Sequence, residues 1–410
     1  MKRLLRVGVS IACALVLAAC GGGGGGGSAT KTVEPVFAGV APLSAPTNAP
    51  TGFGPTPTAA ANVLPVVVDR GIRGTAFNAP FVTVTVCVPG GTCADIDHVI
   101  VDTASAGLRL NASALPATLA LPEAATTDGS AAAQCMKFLG GFTWGSVRRA
   151  DVQLAGQRIA SMPVHVMADT DARFATIPSG CSSAGANLAN RLDAKGILGV
   201  GMSRQDCGSS CVTSAAPAMY YGCGASGCAP ATVPLASQVT NPVTLLAAHN
   251  NGVALMLQQV PQGGAATVGG ALVLGIGTDA NNQLGSARLL APDRSGQVSV
   301  TLKGRSLPAY IDSGSNALLF PDTELPKCGE LFCPAQPTAL DVRLRSPAGV
   351  EQAMSFTVES APTWGAAAAT IAAPWENETL WGLPFFFGRT VFVAIKDAPT
   401  PAGNGPFWAF

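Results

Sequence analysis

Charge is scarce in this 410-residue chain. Asp, Glu, Lys and Arg make up only 12%, with 24 basic residues against 24 acidic ones. No basic stripe is present to track a nucleic-acid backbone, so nucleic acid is not expected as a partner. A mean hydropathy of +0.35 is too high for a chain that stays disordered over most of its length. Histidine is scarcer still. His98, His165 and His249 are scattered, with no metal-ligand spacing among them. No Ser stands in a Gly-x-Ser-x-Gly elbow, which argues against a serine hydrolase of that type. Long amphipathic helical patterns are missing, and beyond the N-terminus no apolar run is long enough for a transmembrane helix.

What is present begins with an address. Lys2, Arg3 and Arg6 precede an apolar stretch, Val7 to Ala19, too short to span a bilayer comfortably. It ends Leu17-Ala18-Ala19-Cys20, which resembles a bacterial lipoprotein signal, with an ordinary signal peptide as the plainer reading. Residues 1–19 are thus expected to be removed, and Cys20 to carry lipid. The anchor implies a membrane partner and a cell-envelope location, the outer membrane for want of a retention signal after Cys20. The run Gly21 to Gly27 and the prolines from Pro35 to Pro57 make 20–62 a tether.

Of the 12 cysteines, Cys13 and Cys20 fall in that leader, and the rest are even in number. Close neighbours suggest pairs Cys87–Cys93, Cys207–Cys211, Cys223–Cys228 and Cys328–Cys333, leaving Cys135 with Cys181. Connectivity within the Cys207, Cys211, Cys223 and Cys228 quartet stays open, and a metal reading of it is disfavoured by the absence of nearby His.

From about Val66 onward the pattern is mostly β. Val82, Val84, Val86 and Val88 alternate with Thr83, Thr85 and Cys87, and Pro89-Gly90-Gly91 turns the chain into Ile96 to Val101. Val152 to Leu154 and Arg158 to Val166 form a hairpin about Ala155-Gly156. Val298, Val300 and Leu302 turn at Lys303-Gly304 into Ala309 to Ile311. Leu272 to Leu274, Val391 to Ile395 and Phe407 to Phe410 read as further strands. One helix is predicted over Val243 to Ala248, with Asn241 as its cap, Pro242 at its first position and Asn250-Asn251-Gly252 as its stop.

Two of these strands end alike. Ile100-Val101-Asp102-Thr103-Ala104-Ser105 and Tyr310-Ile311-Asp312-Ser313-Gly314-Ser315 each run from apolar residues to a carboxylate, a hydroxyl, a small residue and a second hydroxyl. A duplicated loop with one Asp per copy can place two carboxylates across a pseudo-twofold axis, where they share one proton.

The chain here resembles the pepsin-like aspartic peptidases. Besides the Asp loops, it carries an apolar-apolar-Gly segment after each: Ile197-Leu198-Gly199 and Leu380-Trp381-Gly382. Asn241-Pro242-Val243-Thr244-Leu245 and Leu272 to Asp279 are similar to the family's inter-lobe segments. The likeness covers roughly Val66 to Phe410. Over its whole length the chain is also similar to Gly-tethered bacterial lipoproteins of unassigned function.

The resemblance implies a bilobal fold, two pseudo-twofold-related β lobes at 63–235 and 236–410 with a central cleft. It implies Asp102 and Asp312 as catalytic acids. Thr103 and Ser313 would bond across the axis, Ser105 and Ser315 would hold the outer carboxylate oxygens, and Gly314 would complete the second loop. A flap is implied at 138–145, with Phe138 at the position of the family's Tyr and Trp144 as the alternative. Ala104 stands where the family has Gly. The expectation is a monomeric endopeptidase acting on peptide or protein, with no metal or organic cofactor. A lipoprotein that only binds peptide or glycan in its cleft is the alternative, and a purely structural surface lipoprotein a third.

Overall fold

The computed structural model describes residues 60–360 and 365–410. The leader, Cys20 and nearly all of the tether lie outside them. Among the described residues no helix is long and apolar enough to cross a membrane.

The described chain is mostly β, and its strands follow from residue periodicity. Strand Pro80–Cys87 buries Val82, Val84 and Val86 and turns into strand Cys93–Asp102. Cys87 and Cys93 face each other in register and are bonded. At Ala155-Gly156 and Lys303-Gly304 both turn residues have positive φ. That backbone matches the twist of the strands it joins and gives tight two-residue hairpins.

Six strands close into a barrel. Gly141–Leu154 pairs with Gln157–Met167, which lies beside Ala106–Asn111, then Gly196–Val200, Cys93–Asp102 and Pro80–Cys87, which returns to Gly141–Leu154. Val84, Val99, Val101, Leu108, Leu110 and Leu198 are fully buried. The sheet does not stop there. Strand Val63–Val68 pairs with Pro80–Cys87 on one side and with Val268–Leu274 on the other, and Gly252–Leu257, Thr390–Ala394 and Phe407–Ala409 follow. It therefore joins strands from before residue 235 to strands from after residue 236.

A second, open sheet of seven strands holds the other Asp loop. Its order is Glu351–Val358, Thr338–Arg345, Val298–Leu302, Arg305–Ile311, Thr379–Trp381, Leu318–Phe320 and Ala372–Pro374.

All five expected cysteine pairs are formed: Cys87–Cys93, Cys135–Cys181, Cys207–Cys211, Cys223–Cys228 and Cys328–Cys333. The helix expected over Val243 to Ala248 is instead one 3-10 turn, Pro242–Leu245. Asn241 caps it as expected, accepting from the Val243 N–H, but the chain is extended again at Leu246. Farther on, the Asn251 side chain is tied to Ile276 and Pro399, and strand Gly252–Leu257 starts directly after it.

Candidate functional site

Each Asp stands at the end of a strand, and each strand is flanked in the same way. Strand Gly196–Val200 runs parallel to Cys93–Asp102 and antiparallel to Ala106–Asn111. Strand Thr379–Trp381 runs parallel to Arg305–Ile311 and antiparallel to Leu318–Phe320. Both apolar-apolar-Gly segments thus thread between the two arms of an Asp loop. Glycine is required there. A Cβ on Gly199 would lie 2.8 Å from the backbone of Ser105 and Ala106, and one on Gly382 would lie 2.2 Å from the Ala317 carbonyl oxygen.

The two loops bond each other reciprocally. The Thr103 N–H donates to Ser313 Oγ (3.1 Å), and the Ser313 N–H donates to Thr103 Oγ1 (3.0 Å). Each hydroxyl passes its own proton to a carbonyl of the opposite strand, Thr103 to Ile311 and Ser313 to Val101. These groups are buried, so every bond matters: leaving one unmade costs about 1–3 kcal/mol.

The carboxylates are held in matching ways. Ala104 N–H donates to Asp102 Oδ1 at 2.9 Å, as Gly314 N–H does to Asp312 Oδ1 at 2.8 Å. The Ala104 methyl leaves this turn undisturbed. Ser105 Oγ donates to Asp102 Oδ2 (2.5 Å) and Ser315 Oγ to Asp312 Oδ2 (2.8 Å). A Cβ placed on Gly314 would lie 3.1 Å from Oδ1 of both aspartates, so these two oxygens are no farther apart than twice that distance. The pair is nearly enclosed, with Asp102 4% and Asp312 1% exposed.

The same crowding yields a prediction. Gly314→Ala puts a methyl 3.0 Å from the Asp102 carboxyl carbon, so one carboxylate must move by a few tenths of an ångström. Any activity of the pair is expected to fall about a hundredfold while the melting temperature changes little, as read by paired rate and melting measurements.

Phe138 and Trp144, the residues expected in the flap, are both buried, at 2% exposed. Phe138 packs among Phe81, Met136, Met167 and Ile197, and Trp144 donates its Nε1–H to the Phe174 carbonyl. The hairpin Ala131–Phe138 and Gly141–Leu154 is present, with a half-buried turn at Leu139-Gly140. Leu139 reaches the cluster of Ala317, Leu319, Ile371 and Leu380 on the second sheet.

Two features were not foreseen. Behind the first loop lies a buried polar network. Arg109 donates to the carbonyls of Ala106 and Gly107 and to Asp206 Oδ2 (3.2 Å), with both side chains fully enclosed. Asp206 also accepts from Tyr220 Oη (2.6 Å) and from the Gln134 amide. Burial pushes the Asp206 carboxyl up to about 6, against the pull of Arg109 and these donors. Burial, with Arg109 nearby, holds His165 far below its usual range and therefore neutral. Arg109 also feels the charge of Asp102, which links the network to the pair. The sequence signal was an Arg between Leu108 and Leu110 in a fully apolar strand. The second unforeseen feature is a bridge through Asn78 and Asn316. Among the described residues, no group of His, Cys, Asp or Glu is placed to hold a metal ion.

The family model described as a protein of unknown function (DUF3443) matches residues 58–410, and the chain belongs to that family. No curated protein matches it.

Proposed function

We propose that this protein is an aspartic peptidase of bilobal, pepsin-like architecture, held at the cell envelope by a lipid on Cys20. One observation carries the reading: two copies of an Asp loop, each threaded by an apolar-apolar-Gly strand, joined through reciprocal Thr103–Ser313 hydrogen bonds. In this reading the barrel forms one lobe, the seven-stranded sheet the core of the other, and the Asp pair sits in the cleft between them.

The chemistry needs only the pair and a water. Two close carboxylates hold one proton between them, so one is a base and the other an acid. The ionised carboxylate takes a proton from the water as its oxygen attacks the amide carbonyl. The protonated one gives its proton to the carbonyl oxygen. The tetrahedral gem-diol then collapses: one carboxylate takes back a hydroxyl proton, the carboxyl that had taken the water's proton passes it to the leaving nitrogen, and the C–N bond breaks, which leaves the pair with one proton again. Ser105 and Ser315 keep the outer oxygens occupied, which leaves the Oδ1 pair to face the water.

The test is cleavage of a diverse peptide mixture by the whole protein between pH 3 and 8. Defined cuts, suppressed by a statine-type peptide that mimics the tetrahedral species, are expected. A folded protein that cuts nothing at any pH would leave the rival reading, a cleft that only binds.

A further inference from the structure

Beside the Asp312 loop, the two halves of the molecule are laced together. Asn78 is fully buried and has a φ of +44°. Its side-chain amide copies a strand edge. Nδ2 donates to the Ala368 carbonyl (2.9 Å) while the Ala368 N–H donates to Oδ1 (2.8 Å). Nδ2 also donates to the Asn316 carbonyl (2.8 Å), and the Asn78 N–H donates to the Ala366 carbonyl (2.7 Å). Asn316 answers with bonds from Nδ2 to the carbonyls of Phe77 (2.6 Å) and Asn78 (3.3 Å). Phe77 and Leu139, both from the first half, pack on the same apolar cluster of the second sheet. A surface loop has no need of so many bonds across two halves, and a buried Asn with every polar atom used is costly to displace.

The place of this clamp gives it meaning. Asn316 directly follows Ser315, whose hydroxyl holds Asp312 at 2.8 Å. Consecutive Cα atoms are about 3.8 Å apart and an extended peptide advances about 3.3–3.6 Å per residue, so the Asn316 backbone stands within about three residues' reach of the Asp312 carboxylate. Resting on the peptidase reading, we infer that the clamp makes the cleft blind on its Asn316 flank. The substrate is then a peptide whose scissile bond lies within about three residues of one chain end. A polypeptide threaded through the cleft in both directions is excluded by the clamp's own hydrogen bonds.

The test uses two statine-type peptides, one carrying six further residues on the amino side of the statine and the other six on the carboxyl side. Affinities are measured for the whole protein, for Asn78→Gly and for Asn316→Ala. Glycine suits the positive φ at position 78 and removes the side-chain bonds alone. Circular dichroism checks that all three proteins are folded. The wild type is expected to bind one probe at least about tenfold more tightly than the other, and the variants to narrow that gap. Equal binding of both probes by the wild type overturns the blind flank. A gap that persists unchanged in both folded variants overturns the clamp as its cause. Binding of neither probe by any of the three proteins overturns the peptidase reading itself, and the blind flank with it.

Discussion

Asp312→Asn is expected to lower peptide hydrolysis by about 10²–10⁴-fold, the usual scale of a general acid or base. The substitution is close to isosteric. The Gly314 N–H still finds an acceptor at Oδ1, and Ser315 Oγ can turn to accept from the new amide where it now donates to Oδ2. The loop and its bonds to Thr103 are left in place. What is lost is the shared proton, because an amide neither takes nor gives one at these pH values. Asp312 is 1% exposed, so removing its charge also relieves desolvation, and the melting temperature is expected to hold or rise. Asp102→Asn is expected to behave alike, since the Ala104 and Ser105 N–H groups both still meet Oδ1. Rates on a peptide substrate, paired with melting curves, check both. An Asn variant that keeps more than about a tenth of the wild-type rate contradicts the assigned roles.

The second large effect concerns stability. Asp206→Ala strands the Arg109 guanidinium, which has no solvent to turn to, and also removes the acceptor of Tyr220 Oη and of the Gln134 amide. Breaking a buried pair in this way costs about 3–5 kcal/mol. Chemical denaturation is expected to show a loss of that size. Arg109 also ties down the Ala106 and Gly107 carbonyls just beyond the first Asp loop, so the folded fraction is expected to turn over more slowly.

A pH series isolates the carboxyl. An unfolded Asp titrates near 3.9, whereas burial holds folded Asp206 at about 6. Between these values the unfolded chain releases its proton first, so the folded state binds more protons and stability falls as pH rises. The proton-linked part of the Asp206 contribution is therefore fullest below about pH 4 and gone above about pH 6, while its bonds to Arg109, Tyr220 and Gln134 remain. The groups facing it are Arg109, Tyr220 and Gln134. Burial drives the Tyr220 hydroxyl well above its usual range, so it does not ionise in this window. Asp206→Asn keeps the shape without the proton. Its stability curve, subtracted from the wild type's, is expected to show the fall between pH 4 and 6 and no slope from 6 to 7.

The features legible in the sequence are mostly local. The two Asp strings, the hairpin turns at Ala155-Gly156 and Lys303-Gly304, and the cysteine pairs at short spacing each state their geometry within a few residues. The threading segments at Ile197 and Leu380 were readable because two backbones pass so closely that only Gly fits. Other features depend on partners far along the chain. Arg109 finds Asp206 across 97 residues, and Asn78 finds Asn316 across 238. Asp206 sits in the polar run Ser203-Arg204-Gln205-Asp206, which reads as a surface turn. Phe138 and Trp144 show a different limit. Counting along the chain locates their hairpin, but whether a given residue faces inward depends on strand register and on what packs behind it. The short turn at Pro242 shows a third. Its cap and proline were right, but the chain is extended again at Leu246, ahead of the stop expected at Asn250-Asn251-Gly252.

The central claim is that Asp102 and Asp312 act as one unit. Measuring kcat/KM for the wild type, Asp102→Asn, Asp312→Asn and the double variant on one peptide tests it directly. Groups that share a single function fail together, so each single variant is predicted to lose as much as the double. If each single variant keeps substantial activity and the double loses the product of the two effects, the aspartates act independently, and the shared-proton account is contradicted.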